Sequence, residues 1–140
     1  MKNTIDNSIR VILIIASYAF FSCATIHQTL AESRDADAYN NRGDVCVEKG
    51  RYDEAISQYS MALKIKPTNA EVYYNRGYTY TIKGNFDDAI CDFNKALELN
   101  PKYAKACHIR GIAYASKGRY DQAITDYTKA LEINPQDATA

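Results

Sequence analysis

The sequence carries no net charge: Lys and Arg together number 17, and so do Asp and Glu. A neutral chain sets up no general field to draw in nucleic acid or an anionic membrane, so no nucleic acid is expected as a partner. Histidine is scarce, present only as His27 and His108. No glycine-rich phosphate loop and no HExxH pair of metal ligands occurs, and the cysteines lack the paired spacing of a zinc site. No catalytic residue, metal or cofactor is expected, and the chain is read as a non-enzyme. Tryptophan is absent and proline occurs three times, whereas tyrosine occurs 12 times. With 46% apolar and 24% charged residues over 140 positions, the composition is that of one modest folded domain.

A long hydrophobic run is also missing. Val11 to Phe21 is apolar apart from Ser17, well short of the about 20 residues that a membrane-spanning helix needs. Lys2 and Arg10 precede this run and small residues follow it, which is the grammar of a secretory signal. Ser22-Cys23-Ala24 and Thr29-Leu30-Ala31 both offer a small-x-small cleavage site. A third reading uses Cys23 itself. Phe20-Phe21-Ser22-Cys23 resembles the lipobox of bacterial lipoproteins, which implies acylation of Cys23 as the new N-terminus; Ser22 fits that pattern and Phe20 departs from it. Residues 1–24 are therefore expected to be a signal peptide or lipoprotein signal, and the mature protein to be periplasmic, membrane-anchored or secreted. Any membrane attachment would run through the N-terminus. The alternatives are an uncleaved anchor, or a buried helix of no targeting meaning. Residues 25–35 are polar and aperiodic, and read as a tether that spans roughly 35 Å when extended.

The rest of the chain reads three times over. Gly43, Gly77 and Gly111 are 34 residues apart, and so are Gly50, Gly84 and Gly118; Ala55, Ala89 and Ala123; Ala62, Ala96 and Ala130; and Pro67, Pro101 and Pro135. The first glycines and the alanines let paired helices approach closely, the alanines with high helix propensity. Tyr39, Tyr73, Tyr59, Phe93 and Tyr127 fill the spaces between, with Cys107 standing where the third unit would have an aromatic. The second glycines suit a left-handed residue that ends a helix. Asp53, Glu54, Asp87, Asp88 and Asp121 sit favourably at helix starts, and the prolines close each unit. First helices are expected near 37–49, 71–83 and 105–117, and second helices near 53–65, 87–99 and 121–133.

A 34-residue period with these columns resembles the tetratricopeptide repeat (TPR) family over Ala36 to Asp137. The resemblance implies an all-α, right-handed superhelical solenoid of three helix–turn–helix units, 36–69, 70–103 and 104–137. Residues 138–140 stand where a fourth unit or a capping helix would begin, and an uncapped last helix offers a surface for self-association. The family also implies a concave groove, lined by first helices, that holds a peptide or a partner helix. The groove residues are then Asp37, Asn40, Asn41, Asp44, Val47 and Glu48 from the first unit. The second unit gives Glu71, Tyr74, Asn75, Tyr78 and Ile82, and the third Lys105, His108, Ile109, Ile112 and Ser116. The groove should run from an acidic end, through an aromatic centre, to a mildly basic and apolar end. Asn41 and Asn75 are suited to bridging a peptide backbone, since an amide both donates and accepts.

Some family members clamp the terminal carboxylate of a chaperone. Asn75 and Lys105 match that clamp, but Asn40 stands where Lys is needed, Asp44 where Asn is needed and Ile109 where Arg is needed, so the clamp is not expected here. The expected function is a non-catalytic scaffold for a protein or peptide partner in the cell envelope. The alternatives are a self-assembly module, or the N-terminal part of a larger protein whose activity lies downstream. Among the cysteines, Cys46 and Cys107 fall in packing columns and read as buried thiols. Cys91 with Cys107 is the one pair for which a disulfide is considered. Arg42, Arg76 and Arg110 each precede a packing glycine, where a buried guanidinium needs a partner. Arg76 and Arg110 are each expected to pair with Asp92 or Asp126, within a unit or across to the next, whereas Gln58 in the same column leaves Arg42 less well satisfied. The alternative is that all three guanidiniums reach water with their stems packed.

Overall fold

A computed structural model describes Gln28 and residues 34–135. The signal (residues 1–24, with Cys23), His27 and most of the tether, and residues 138–140, lie outside the described residues. The described chain is helical and contains no strand. Helix α1 covers residues 34–48, and five more follow: α2 (Tyr52–Ile65), α3 (Ala70–Ile82), α4 (Phe86–Leu99), α5 (Ala104–Ser116) and α6 (Tyr120–Ile133). The tether expectation needs correction at its end. Arg34 and Asp35 are already helical, as is Gln28; no glycine or proline stands between residues 25 and 35 to stop a helix.

Each pair of helices is punctuated as the columns require. Gly84 closes α3 with a φ of 79°, a left-handed conformation that costs glycine no Cβ clash. Asn69 caps α3, its side-chain oxygen accepting from the Glu71 amide at 3.1 Å and the Val72 amide at 3.4 Å. Asp87 and Asp88 occupy the first turn of α4. Within the first unit, Gly43 lets α1 lie against the Tyr59 ring of α2: a Cβ there would come within 2.4 Å of that ring. Tyr59, Phe93, Ala55, Ala89 and Ala96 are buried, so the seam between paired helices is filled by one aromatic knob per unit set among alanines.

From Asp35 onward the helices form one compact unit. Helix α3 packs on both α2 and α4, and α5 on both α4 and α6. The first helices α3 and α5 also touch one another, whereas α2, α4 and α6 make no mutual contact. First helices therefore lie closer together than second helices, and this array is concave on the side of α1, α3 and α5.

The three arginines behave as their column predicts. Arg76 is bidentate to Asp92, with Nε to Oδ2 at 2.8 Å and Nη2 to Oδ1 at 2.7 Å. Its Nη1 donates to Ser60 Oγ of the preceding unit at 2.9 Å. Arg110 repeats the arrangement, with Asp126 at 2.7 and 2.6 Å and Asn94 Oδ1 at 2.6 Å. Among the described residues Arg42 has only the Tyr39 ring beneath it, and Gln58 Oε1 is the buried side-chain oxygen left without a hydrogen-bond partner. The cysteines Cys46, Cys91 and Cys107 are free thiols. The Cys91–Cys107 disulfide does not form, because Cys91 faces solvent on α4 while Cys107 is fully buried.

Candidate functional site

The concave face is built from residues repeating every three or four positions along α1, α3 and α5, which is one face of each helix. Its centre is aromatic. Tyr74 on α3 stacks with Tyr78 one turn on, at 6.3 Å between ring centroids. It also meets Phe93 of α4 at 6.0 Å and Tyr103, just before α5, at 5.0 Å. Burial raises the phenol pKa of Tyr74, and pushes that of Tyr103 up to about 12, so these hydroxyls stay neutral donors at physiological pH. Tyr78 remains 40% exposed, Ile82 42% and Ile112 37%. Apolar surface therefore stands free along the middle of the face.

On the α1 side the face is polar and internally tied. The Tyr59 hydroxyl donates to Asp44 Oδ1 at 2.7 Å. The Asn75 amide donates to Asn40 Oδ1 at 3.2 Å and Asp44 Oδ1 at 3.3 Å. Burial, with Asp44 accepting its hydrogen bond, raises the Tyr59 pKa well beyond the ordinary phenol range. Asp44 Oδ1 thus ties α1, α2 and α3 together. Asp37, Glu48 and Glu71 are exposed nearby on the same helices. At the opposite end Lys105 and His108 are exposed on α5, and His108 lies edge-on to Tyr127 at 5.7 Å. A depression of about 160 Å³ between Tyr74, Lys105, His108 and Ile109 marks this end.

Not every predicted residue serves the face equally. Asn75 spends its amide N–H on Asn40 and Asp44, so only its oxygen is free for a ligand. Asn41 sits at the outer edge of α1, lining a separate depression of about 380 Å³ with Arg42, Val45, Cys46, Arg51 and Gln58. Val47 and Ile109 pack against the core clusters, and the Ser116 hydroxyl donates to the Ile112 carbonyl. Tyr103 was missed by the sequence reading because it stands in the connection before α5, outside the first-helix columns. Its signal was an aromatic in a turn, where Asn69 stands one unit earlier. Among the described residues no group of side chains could hold a metal ion, and no helix is long and apolar enough to cross a membrane.

Family models agree with this architecture: one described as TPR repeat matches residues 43–81, and one described as tetratricopeptide repeat matches 70–103 and 104–137. The chain is a tetratricopeptide repeat protein. Among solved structures it is similar to the first TPR of Spaghetti (RPAP3) bound to the HSP90 peptide SRMEEVD, at 33% identity over 74% of this chain and 82% of that one, with a TM-score of 0.72. The Arabidopsis OM64 TPR domain is 28% identical over 75% of this TPR chain and 87% of its own, at a TM-score of 0.74. MamA is 29% identical over 77% and 63%, at 0.71. A comparison with curated proteins finds no match.

Proposed function

We propose that the protein is a non-catalytic scaffold whose concave TPR face holds an extended peptide or a partner helix. The observation that carries this reading is the half-open aromatic cluster of Tyr74, Tyr78 and Tyr103 between an acidic and a basic end. Aromatic rings with apolar surface beside a polar rim are the composition of a protein-binding patch. The related RPAP3 domain holds an HSP90 peptide, which supports a peptide in this groove while leaving its chemistry to be set by the side chains here. Asp44 is held in place by Tyr59 and Asn75, and Asp37, Glu48 and Glu71 flank it. The preferred ligand therefore presents Lys or Arg beside an aromatic or apolar anchor, and a terminal carboxylate is disfavoured. Peptides selected from a random display library on the immobilised full chain should be enriched in that pattern. Enrichment of acidic C-terminal sequences, or of binders indifferent to Tyr74→Ala with Tyr78→Ala, would place the site or its chemistry elsewhere.

We further propose that this scaffold works in the cell envelope after export. The support is the Lys2/Arg10-flanked apolar run ending at Ser22-Cys23-Ala24. Mass spectrometry of protein from its native cells is expected to find the N-terminal signal removed, or lipid on Cys23. Intact Met1 in a soluble cytosolic fraction contradicts export.

A further inference from the structure

The contacts that join one repeat to the next recur in fixed columns, and among the described residues both ends of the array leave those columns unfilled. Lys83 at the end of α3 pairs with Asp53 in the first turn of α2, and Lys117 after α5 pairs with Asp87 of α4. The next members of these two columns are Lys49 and Asp121. Both are exposed, they stand at opposite ends of the array, and neither has an ion-pair partner among the described residues. A second column carries the arginines: Arg76 reaches Ser60 and Arg110 reaches Asn94, each on the preceding unit. Arg42 at one end lacks such an acceptor among the described residues, and Thr128 at the other end occupies the acceptor position. The Thr128 hydroxyl donates to the Ile124 carbonyl just as Ser60 donates to that of Ile56, which leaves its oxygen lone pairs free to accept.

The apolar columns show the same pair of open faces. Ile90 of α4 is 7% exposed, but Ile124 of α6 is 61% exposed; Leu97 is 8% exposed and Leu131 is 42%. On the receiving side, Thr79 and Ala113 are fully buried, yet Val45 in their column on α1 is 43% exposed. The exposed face of α6 is thus cut to the pattern that α3 and α5 already accept, and the exposed face of α1 to the pattern that α2 and α4 already cover.

We propose that α6 of one copy docks on α1 of a second copy, in the register of α2 on α3 and α4 on α5, continuing the array head to tail. In that register Asp121 meets Lys49, and the Thr128 oxygen accepts from Arg42. Ile124 covers Val45 as Ile90 covers Ala113, and Leu131 meets Ala38 and Tyr39 as Leu97 meets Ala106 and Cys107. Pairing like faces about a two-fold axis would instead set Lys49 toward Lys49, or Asp121 toward Asp121. The contact is heterologous, so assembly does not close at the dimer.

Sedimentation velocity of the full chain over a concentration series at low ionic strength tests this. Wild type is expected to grow past the dimer as concentration rises. Lys49→Asp and Asp121→Lys should each weaken association by about tenfold, as loss of an attraction plus a new repulsion implies. An equimolar mixture of the two variants should associate again, because each reversed charge then meets its opposite on the other variant. Ile124→Asp should abolish assembly with no change in helical circular dichroism, since that side chain is exposed in the single copy. The proposal is overturned if wild type stays monomeric, as coverage of both faces by the N-terminal segment or another protein would give. It is equally overturned if growth stops at the dimer, or if growth ignores the charge reversals, as association through the apolar run of residues 11–21 would. None of these variants touches Tyr74 or Tyr78, so peptide binding can fail or succeed independently.

Discussion

At the residue scale the arginine column shows how a repeat can carry a buried charge. Asp92 and Asp126 are nearly fully buried, and Arg76 and Arg110 reach them with two parallel hydrogen bonds each, the geometry in which a guanidinium satisfies a carboxylate best. Asp92 holds the Arg76 guanidinium above its ordinary pKa, while burial pushes the Asp92 carboxyl up against the pull of Arg76. Removing the cation leaves burial unopposed. In Arg76→Leu the folded-state pKa of Asp92 then stands further above its unfolded value near about 3.9. A raised folded carboxyl favours the protonated form, so the variant is least impaired below about pH 4 and loses stability as pH rises through the folded pKa. Chemical denaturation should show a loss of about 3 kcal/mol near neutral pH and a much smaller one at about pH 4. A loss independent of pH would mean that Asp92 is not ionised in the folded protein. The first unit offers the converse change. Gln58 Oε1 is buried without a partner, and Asp at that position would give Arg42 what its two homologues have. Gln58→Asp is expected to raise stability by about 1 kcal/mol, read from the denaturation midpoint at unchanged slope; a decrease would show that Arg42 does not reach this position.

At the element scale the helix seams are set by small residues facing rings. Alanine in place of glycine gains about 1 kcal/mol of helix propensity, so the sign of each exchange depends on the space available. A Cβ at position 43 would lie 2.4 Å from the Tyr59 ring, but at position 77 it would lie 3.0 Å from Phe93. Gly43→Ala is therefore expected to cost about 1–3 kcal/mol through overpacking, and Gly77→Ala distinctly less. Equal losses in thermal or chemical melts would mean that the Tyr59 ring moves aside freely. These seams, and all six helices, were legible in the sequence because glycine, alanine, proline and aromatic columns recur in register. The start of α1 was not, since no breaker separates it from the polar residues before it. The tie between Asp44, Asn75 and Tyr59 was also hidden: it joins three different columns and occurs once, so repetition could not reveal it. Tyr103 escaped for a similar reason, as its stacking on Tyr74 depends on the path of a connection and not on helical spacing.

At the scale of the whole molecule, the three units build their core from contacts between neighbouring helices. What they offer a partner is faces. The concave face has an aromatic centre between charges of opposite sign, and the two end faces repeat the internal interface. Charges on a groove rim act mainly on association rate and salt dependence, whereas the half-exposed rings carry the affinity. The most direct measurement is calorimetric titration of a synthetic peptide with two lysines beside a phenylalanine into wild type, Tyr78→Ala and Ile124→Asp, each at low and high salt. Tyr78→Ala is expected to weaken binding by about tenfold or more, in the range of a truncated interface aromatic. Ile124→Asp should bind as wild type does, and salt should weaken every complex. Binding that survives Tyr78→Ala, or that is lost only in Ile124→Asp, would contradict a ligand site on the concave face.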